Sequence, residues 1–182
     1  YFLESDRKKF LDKFVPTITT HVKQGNLLPA FEIYHAYKKK SLARMDWVVK
    51  RLQSNFDFEG KESYAPNRDE SDWPATKTES DSLWELRLKY EVLGEILSLI
   101  SDDEEEEPVT HEEALKNQAE ARTKLEKRYK RWRKNIQEFE PTSVQVLYLT
   151  TLTQMFDPHS TFLSIDAVDE FNVSMKNSFV GI

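Results

Sequence analysis

THEEALKNQAEARTKLEKRYKRWRKNIQEF, residues Thr110 to Phe139, decides the fold class of this chain. Leu115, Arg122, Leu125, Tyr129, Trp132, Ile136 and Phe139 follow alternating three- and four-residue spacing, with Arg122 the polar break. Such spacing draws one stripe along a helix and makes a packing seam for a bundle or a coiled pair. Thr110 with Glu113 three residues on is a capping box, so the helix has a defined start.

Working outward, the six consecutive acids Asp102 to Glu107 and Pro108 read as a solvated linker over 101–110, because that charge density repels itself out of a packed element. Before it, Ser80 or Asp81 caps a strongly apolar helix with Leu83, Trp84, Leu86, Leu88, Leu93, Ile96, Leu97 and Ile100. Apolar residues cover much of its circumference, which makes it central. Residues 57–78 lose periodicity and carry Gly60, Pro66, Asn67 and Pro74, so they form a long loop that Tyr64 and Trp73 pin to the body.

Nearer the amino end, Asn26 and Pro29 open a long helix striped by Phe31, Tyr34, Leu42, Met45, Val49, Leu52 and Phe56. Ser5 or Asp6 caps a first helix bearing Phe10, Leu11 and Phe14, and Pro16 starts a second that Gly25 ends. Beyond Phe139, Pro141 opens a helix through Val144, Leu147, Leu152 and Met155 that Asp157-Pro158 stops. Ser164 caps a short helix leading to Phe171 and Met175, and Phe179 to Ile182 reads as a strand.

The expected fold is therefore mainly α: an irregular multi-helix bundle of five to seven helices, two of them long, with a short β-strand at the C-terminal end. Residues 1–156 form the helical region and 157–182 a junction. The expected core is Phe31, Tyr34, Met45, Leu52, Trp84, Leu93, Leu97, Leu125, Trp132, Ile136, Leu147 and Leu152.

Composition limits the chemistry. Leu, Ile, Val and Phe make up 47 of 182 residues, above the level of a disordered chain, and the net charge of -6 argues against general nucleic-acid affinity. The absence of cysteine excludes disulfides and thiolate metal sites within these residues. Gly25, Gly60, Gly94 and Gly181 share no phosphate-binding motif, and His21, His35 and His111 have no metal-ligand spacing. No cofactor, metal site or catalytic residue is assigned.

Two features invite a sharper reading. Asp157, His159 and Ser160 have the residue types of a catalytic triad, but a triad needs His between the other two at hydrogen-bond range, which neighbours in sequence seldom reach. The structural alternative has Asp157 and Ser160 bonding to turn amides, with His159 against neighbouring backbone. The run Arg122 to Lys134 holds eight Lys or Arg and one Glu, interleaved with Tyr129 and Trp132, and could grip a nucleic acid. Against this, both aromatics fall on the seam, leaving the charges as a solvated face or as a partner for Asp102 to Glu107. Glu112, Glu113, Glu138 and Glu140 read as residues that tune helix ends rather than an acid and base pair.

DPHSTFLS (Asp157 to Ser164), FNVSM (Phe171 to Met175) and FVGI (Phe179 to Ile182) stand in the order and spacing found in C-terminal processing, or tail-specific, serine peptidases. YFLESD at the start, LPAFEIYHAY around Phe31, WELRLKYEVL from Trp84 and LEKRYKRW from Leu125 resemble the amino-terminal helical domain of that family's longer, Prc-like branch. The resemblance implies a bacterial periplasmic or cell-envelope endopeptidase that recognises apolar carboxyl-terminal tails through a PDZ domain. Its catalytic serine and lysine would lie downstream, so Ser160, Ser164 and Lys176 do not take those roles. These residues would then be a noncatalytic region that shapes access or docks an adaptor or second subunit, with Phe179 to Ile182 the first strand of the protease core. The alternative is a stand-alone helical interaction or dimerisation module.

Overall fold

The computed structural model describes residues 1–100 and 110–176, so the acidic run Asp102 to Glu107 lies outside the described residues. Seven helices form among them: α1 (Glu4–Phe14), α2 (Ile18–Lys23), α3 (Leu28–Arg51), α4 (Lys77–Ile100), α5 (His111–Glu138), α6 (Pro141–Gln154) and α7 (Ile165–Lys176). Three are long, not two, at 24, 24 and 28 residues for α3, α4 and α5.

No β-strand occurs among the described residues, which corrects the expected fold of helices plus a C-terminal strand. A strand needs a partner ladder for its backbone groups, and no described segment supplies one, since α7 keeps the chain helical through Lys176. Phe179 to Ile182, where the strand was expected, lie outside the described residues.

The helix starts follow local chemistry. Thr110 and Glu113 close the expected capping box: the Glu113 amide donates to Thr110 Oγ1 at 3.3 Å and the Thr110 amide to Glu113 Oε2 at 2.9 Å. At α4 the cap lies upstream of Ser80 and Asp81. Thr76 Oγ1 accepts from the Glu79 amide at 3.1 Å, and Glu79 Oε2 accepts from the Ala75 amide at 2.8 Å. Thr76 and Glu79 have the capping-box spacing, which places Ser80 inside the helix and buries it. At α1 the Asp6 carboxylate reaches back to the Leu3 amide at 2.8 Å from within the first turn. Gly25 follows α2 at φ +63°, a left-handed conformation that glycine adopts without a Cβ clash.

The chain divides into two compact units. The first comprises Tyr1–Ile18 and His35–Glu138. Its core joins Met45 and Val48 of α3, Leu52 and Phe56 from the segment after it, Trp84, Leu88, Val92 and Ile96 of α4, and Ala121, Leu125, Tyr129 and Ile136 of α5. Helices α4 and α5 pack along one another. The small residues Ala114 and Ala121 face inward from α5, where they permit close backbone approach. Between α3 and α4 the chain has no regular element; Trp73 stacks on Phe2 with the rings parallel at 6.0 Å, and Tyr64 lies 5.4 Å from Tyr90. The second unit comprises Thr19–Tyr34 and Phe139–Ile182. Within it Pro29, Ala30 and Val144 are buried, and the Tyr34 and Phe139 rings lie 5.1 Å apart.

Three expected core residues are exposed: Phe31 at 38%, Leu97 at 45% and Leu147 at 55%. In α4 the buried ladder is Ser80, Trp84, Leu88, Val92 and Ile96, four residues apart, and Leu97 lies one residue off that line. Its apolar circumference hid the phase, because leucines fall on both the buried and the exposed side.

Candidate functional site

At the end of α6 the Asp157 carboxylate accepts from the His159 backbone amide at 2.9 Å, and Ser160 Oγ lies 3.5 Å from Asp157 Oδ2. The Ser160 amide donates to the Asp157 carbonyl at 2.9 Å, which closes the turn. His159 contributes its backbone to this arrangement and its side chain is exposed. Asp157 therefore bonds a turn amide as expected. Ser160 differs, since its hydroxyl points to the carboxylate, and so does His159, whose imidazole faces solvent. A triad needs the imidazole between acid and hydroxyl; here acid and hydroxyl meet directly.

The remaining histidines are scattered. His21 is half-buried in the second unit, His35 is exposed, and His111 Nε2 lies 3.6 Å from Glu59 Oε1 at the surface of the first unit. Among the described residues no group of three or more His, Cys, Asp or Glu is placed to hold a metal ion.

The basic run on α5 is engaged within the first unit. Arg122 donates to the Leu52 carbonyl at 3.0 Å, Arg128 pairs with Glu91 at 3.2 Å, and Arg133 pairs with Asp46 at 2.7 Å. Lys124 lies 3.8 Å from Glu95, while Lys130 and Lys134 pair with Glu126 and Glu138 one turn away. Tyr129 is buried and stacks on half-buried Trp132 at 5.8 Å, so neither ring offers a free face for a base. The other acids sit at helix ends. Glu113 caps α5, and hydrogen bonds from the Thr110 amide and hydroxyl hold its carboxyl below the usual range. Glu112 is exposed in the same first turn, and Glu140 precedes Pro141 at the start of α6.

The polar centre of the first unit is Glu91, which sequence reasoning missed. Its carboxylate accepts from Arg87 Nε at 2.8 Å, Tyr129 Oη at 2.9 Å and Arg128 Nη2 at 3.2 Å. The Arg87 guanidinium lies 4.8 Å from the Trp84 ring and 5.9 Å from Trp132, so aromatic faces cover the charge. Burial disfavours the Arg87 cation, but the hydrogen bond to Glu91 and the nearby Tyr129 and Glu91 outweigh it and raise its pKa. Burial, then the Glu91 charge, push the Tyr129 hydroxyl well above its usual value. Both groups keep their protons at neutral pH, so the cluster fastens α4 to α5 and is not an acid–base pair. The i,i+4 pair Arg87 and Glu91 was its legible signal.

Between α3 and α4 a cleft is lined by Leu3, Lys40, Arg44, Trp47, Lys77 and Asp81. Its charges are matched from within: Arg44 meets Asp81 at 2.7 Å, Lys77 meets Asp81 at 2.6 Å, and Lys40 meets Asp6 at 2.7 Å. The described geometry is thus that of a cross-braced helical domain. The model of the tail specific protease N-terminal domain matches residues 1–166, and the chain belongs to that family. It is 26% identical over 181 residues to a tail-specific protease of Haemophilus influenzae, covering 100% of this chain and 24% of the relative. The chain thus spans about a quarter of the length of that curated relative.

Proposed function

We propose that these residues are the noncatalytic helical region of a tail-specific serine endopeptidase that cleaves proteins bearing apolar carboxyl-terminal tails. The observation that carries this reading is the match of residues 1–166 to the N-terminal domain of tail specific proteases. The serine and lysine of the reaction, and the PDZ domain that captures the tail, belong to polypeptide outside these 182 residues. A PDZ domain holds an extended tail by strand addition and its carboxylate on backbone amides. A lysine kept neutral by its surroundings then takes the proton of the attacking serine.

The helical region shapes access to that machinery or docks an adaptor protein or second subunit. Cross-helix bonds support a rigid role: Arg51 grips Glu85 through Nε at 2.8 Å, and Lys38 Nζ donates to the Gln137 carbonyl at 2.7 Å. The location is the periplasm or cell envelope of a bacterium. The relative from Haemophilus influenzae supports the bacterial part of this reading.

The test separates chemistry from access by giving the intact protein a short peptide and a folded protein with the same apolar tail. Removal of residues 1–156 is expected to change cleavage of the folded substrate more than that of the peptide. Equal loss on both substrates contradicts a role in access, and failure of the intact protein to cleave either contradicts the protease reading.

A further inference from the structure

Along α3, Lys40, Ala43, Arg44 and Trp47 stand three and four residues apart, and along α4 so do Lys77, Ser80 and Asp81, so each helix turns one face to the same cleft. The cleft encloses about 370 Å³, within the range of about 300–1,000 Å³ usual for ligand sites. Arg44 is built into its wall. The guanidinium lies 4.9 Å from the Trp47 ring and 5.6 Å from Trp84, Nη2 donates to Ser80 Oγ at 3.2 Å, and the side chain is 12% exposed.

Charge in the cleft is unequal. Among the described residues of its wall, Lys40, Arg44 and Lys77 are cationic and Asp81 alone is acidic, with Asp6 meeting Lys40 from beside it. Internal pairs hold these side chains without exhausting them. An ammonium has three N–H donors and a guanidinium five, whereas Asp6 and Asp81 engage Nζ of the lysines and Nη2 of Arg44. Leu3, Ala43 and the Trp47 ring supply an apolar wall beside the cations, and the small side chain of Ala43 leaves the cleft open.

We propose that this cleft binds the free carboxyl terminus of an apolar peptide, with the carboxylate on Lys40, Arg44 and Lys77 and the last side chain against Trp47. This choice of ligand rests on reading the chain as part of a tail-specific endopeptidase, and the cleft is then a contact for substrate tails. The excess of cations selects an anion, and the indole beside them selects one carried on an apolar body. Arg44 is held before the ligand arrives, so little side-chain freedom is lost on binding.

The test uses the intact protein and an apolar peptide with a photoreactive benzophenone at its penultimate residue, irradiated before turnover. Cross-links are expected within residues 40–47 or 77–81. Ending the peptide as an amide removes its charge and is expected to cut them at least about 10-fold, the worth of a charge-assisted hydrogen bond. Ala43→Trp fills the cleft from an exposed helix position and is expected to give a similar loss, while Ala43→Ser labels as the unsubstituted protein does. Lys77→Glu, at an exposed position, is expected to lower labelling at least about 3-fold.

Labelling confined to other residues overturns the proposal, and so does equal labelling by acid and amide. A fatty acid that displaces the probe at lower concentration than the unlabelled peptide also overturns it, because the cleft then belongs to a small amphiphile. Cleavage of the same peptide separates the two claims. An active protein with no label in the cleft overturns the cleft alone, and an inactive protein labelled there overturns the protease reading alone.

Discussion

The side-chain amide of Gln118 satisfies both backbone groups of Phe56, accepting from its N–H at 2.7 Å and donating to its carbonyl at 3.0 Å across 62 residues of sequence. Gln118 is 2% exposed and Phe56 3%. The pair ends the segment after α3 and locks it to α5. Gln118→Ala would leave two buried backbone groups without partners, at roughly 1–3 kcal/mol each. Urea unfolding is expected to show a loss of at least about 2 kcal/mol. A change below about 0.5 kcal/mol would mean that the segment is solvated.

Leucine position in the helices gives a second prediction. Leu88 is fully buried between α4 and its neighbours, whereas Leu147 on α6 is 55% exposed. Leu88→Ala is expected to cost about 2–5 kcal/mol and Leu147→Ala under about 1 kcal/mol, measured by the same unfolding curves. Equal costs would refute the assigned phase of α4 or α6.

A third concerns Glu91 and Tyr129, which form a 2.9 Å hydrogen bond at the centre of the first unit. Tyr129→Phe keeps the ring and removes the donor to a charged acceptor, an interaction of about 1.5–3 kcal/mol. A double-mutant cycle with Glu91→Gln is expected to give a coupling of about 1 kcal/mol or more. Additive effects would show that Arg87 and Arg128 satisfy Glu91 by themselves.

Acid stability follows from Asp6. Burial works against its charge, but the Leu3 amide and the Lys40 ammonium outweigh that and lower its folded pKa below the ordinary aspartate value. A carboxylate depressed in the fold contributes stability above its unfolded pKa and loses it as pH falls through the folded one. The contribution is thus complete above about pH 5 and fades below about pH 4. Asp6→Asn is expected to flatten part of that acid limb in urea midpoints recorded against pH. An unchanged limb contradicts the assignment.

Much of the helical architecture was legible because it was written in local chemistry. Pro141, the Thr110 and Glu113 box and Ser164 start helices α6, α5 and α7 as their residue types require. Phase was harder wherever apolar residues surround a helix, as in α4. On α5 the inward line runs Ala114, Gln118, Ala121, Leu125, and the sequence pattern favoured Leu115 because it is large and apolar. Gln118 stands seven residues before Leu125, the one signal that a polar residue occupied the seam. The cleft face of α3 could not be foreseen from pattern alone, since helical spacing aligns Lys40, Ala43, Arg44 and Trp47 and does not say which segment they face.

The central claim is that proteolysis is carried by residues outside this chain. The most direct measurement is cleavage of a peptide with an apolar carboxyl-terminal tail by the intact protein, its Ser160→Ala variant and the purified 182-residue chain. The account predicts cleavage by the first two at rates within about twofold, as expected for a half-buried turn hydroxyl that bonds Asp157, and none by the third. Cleavage by the 182-residue chain that Ser160→Ala abolishes would contradict it.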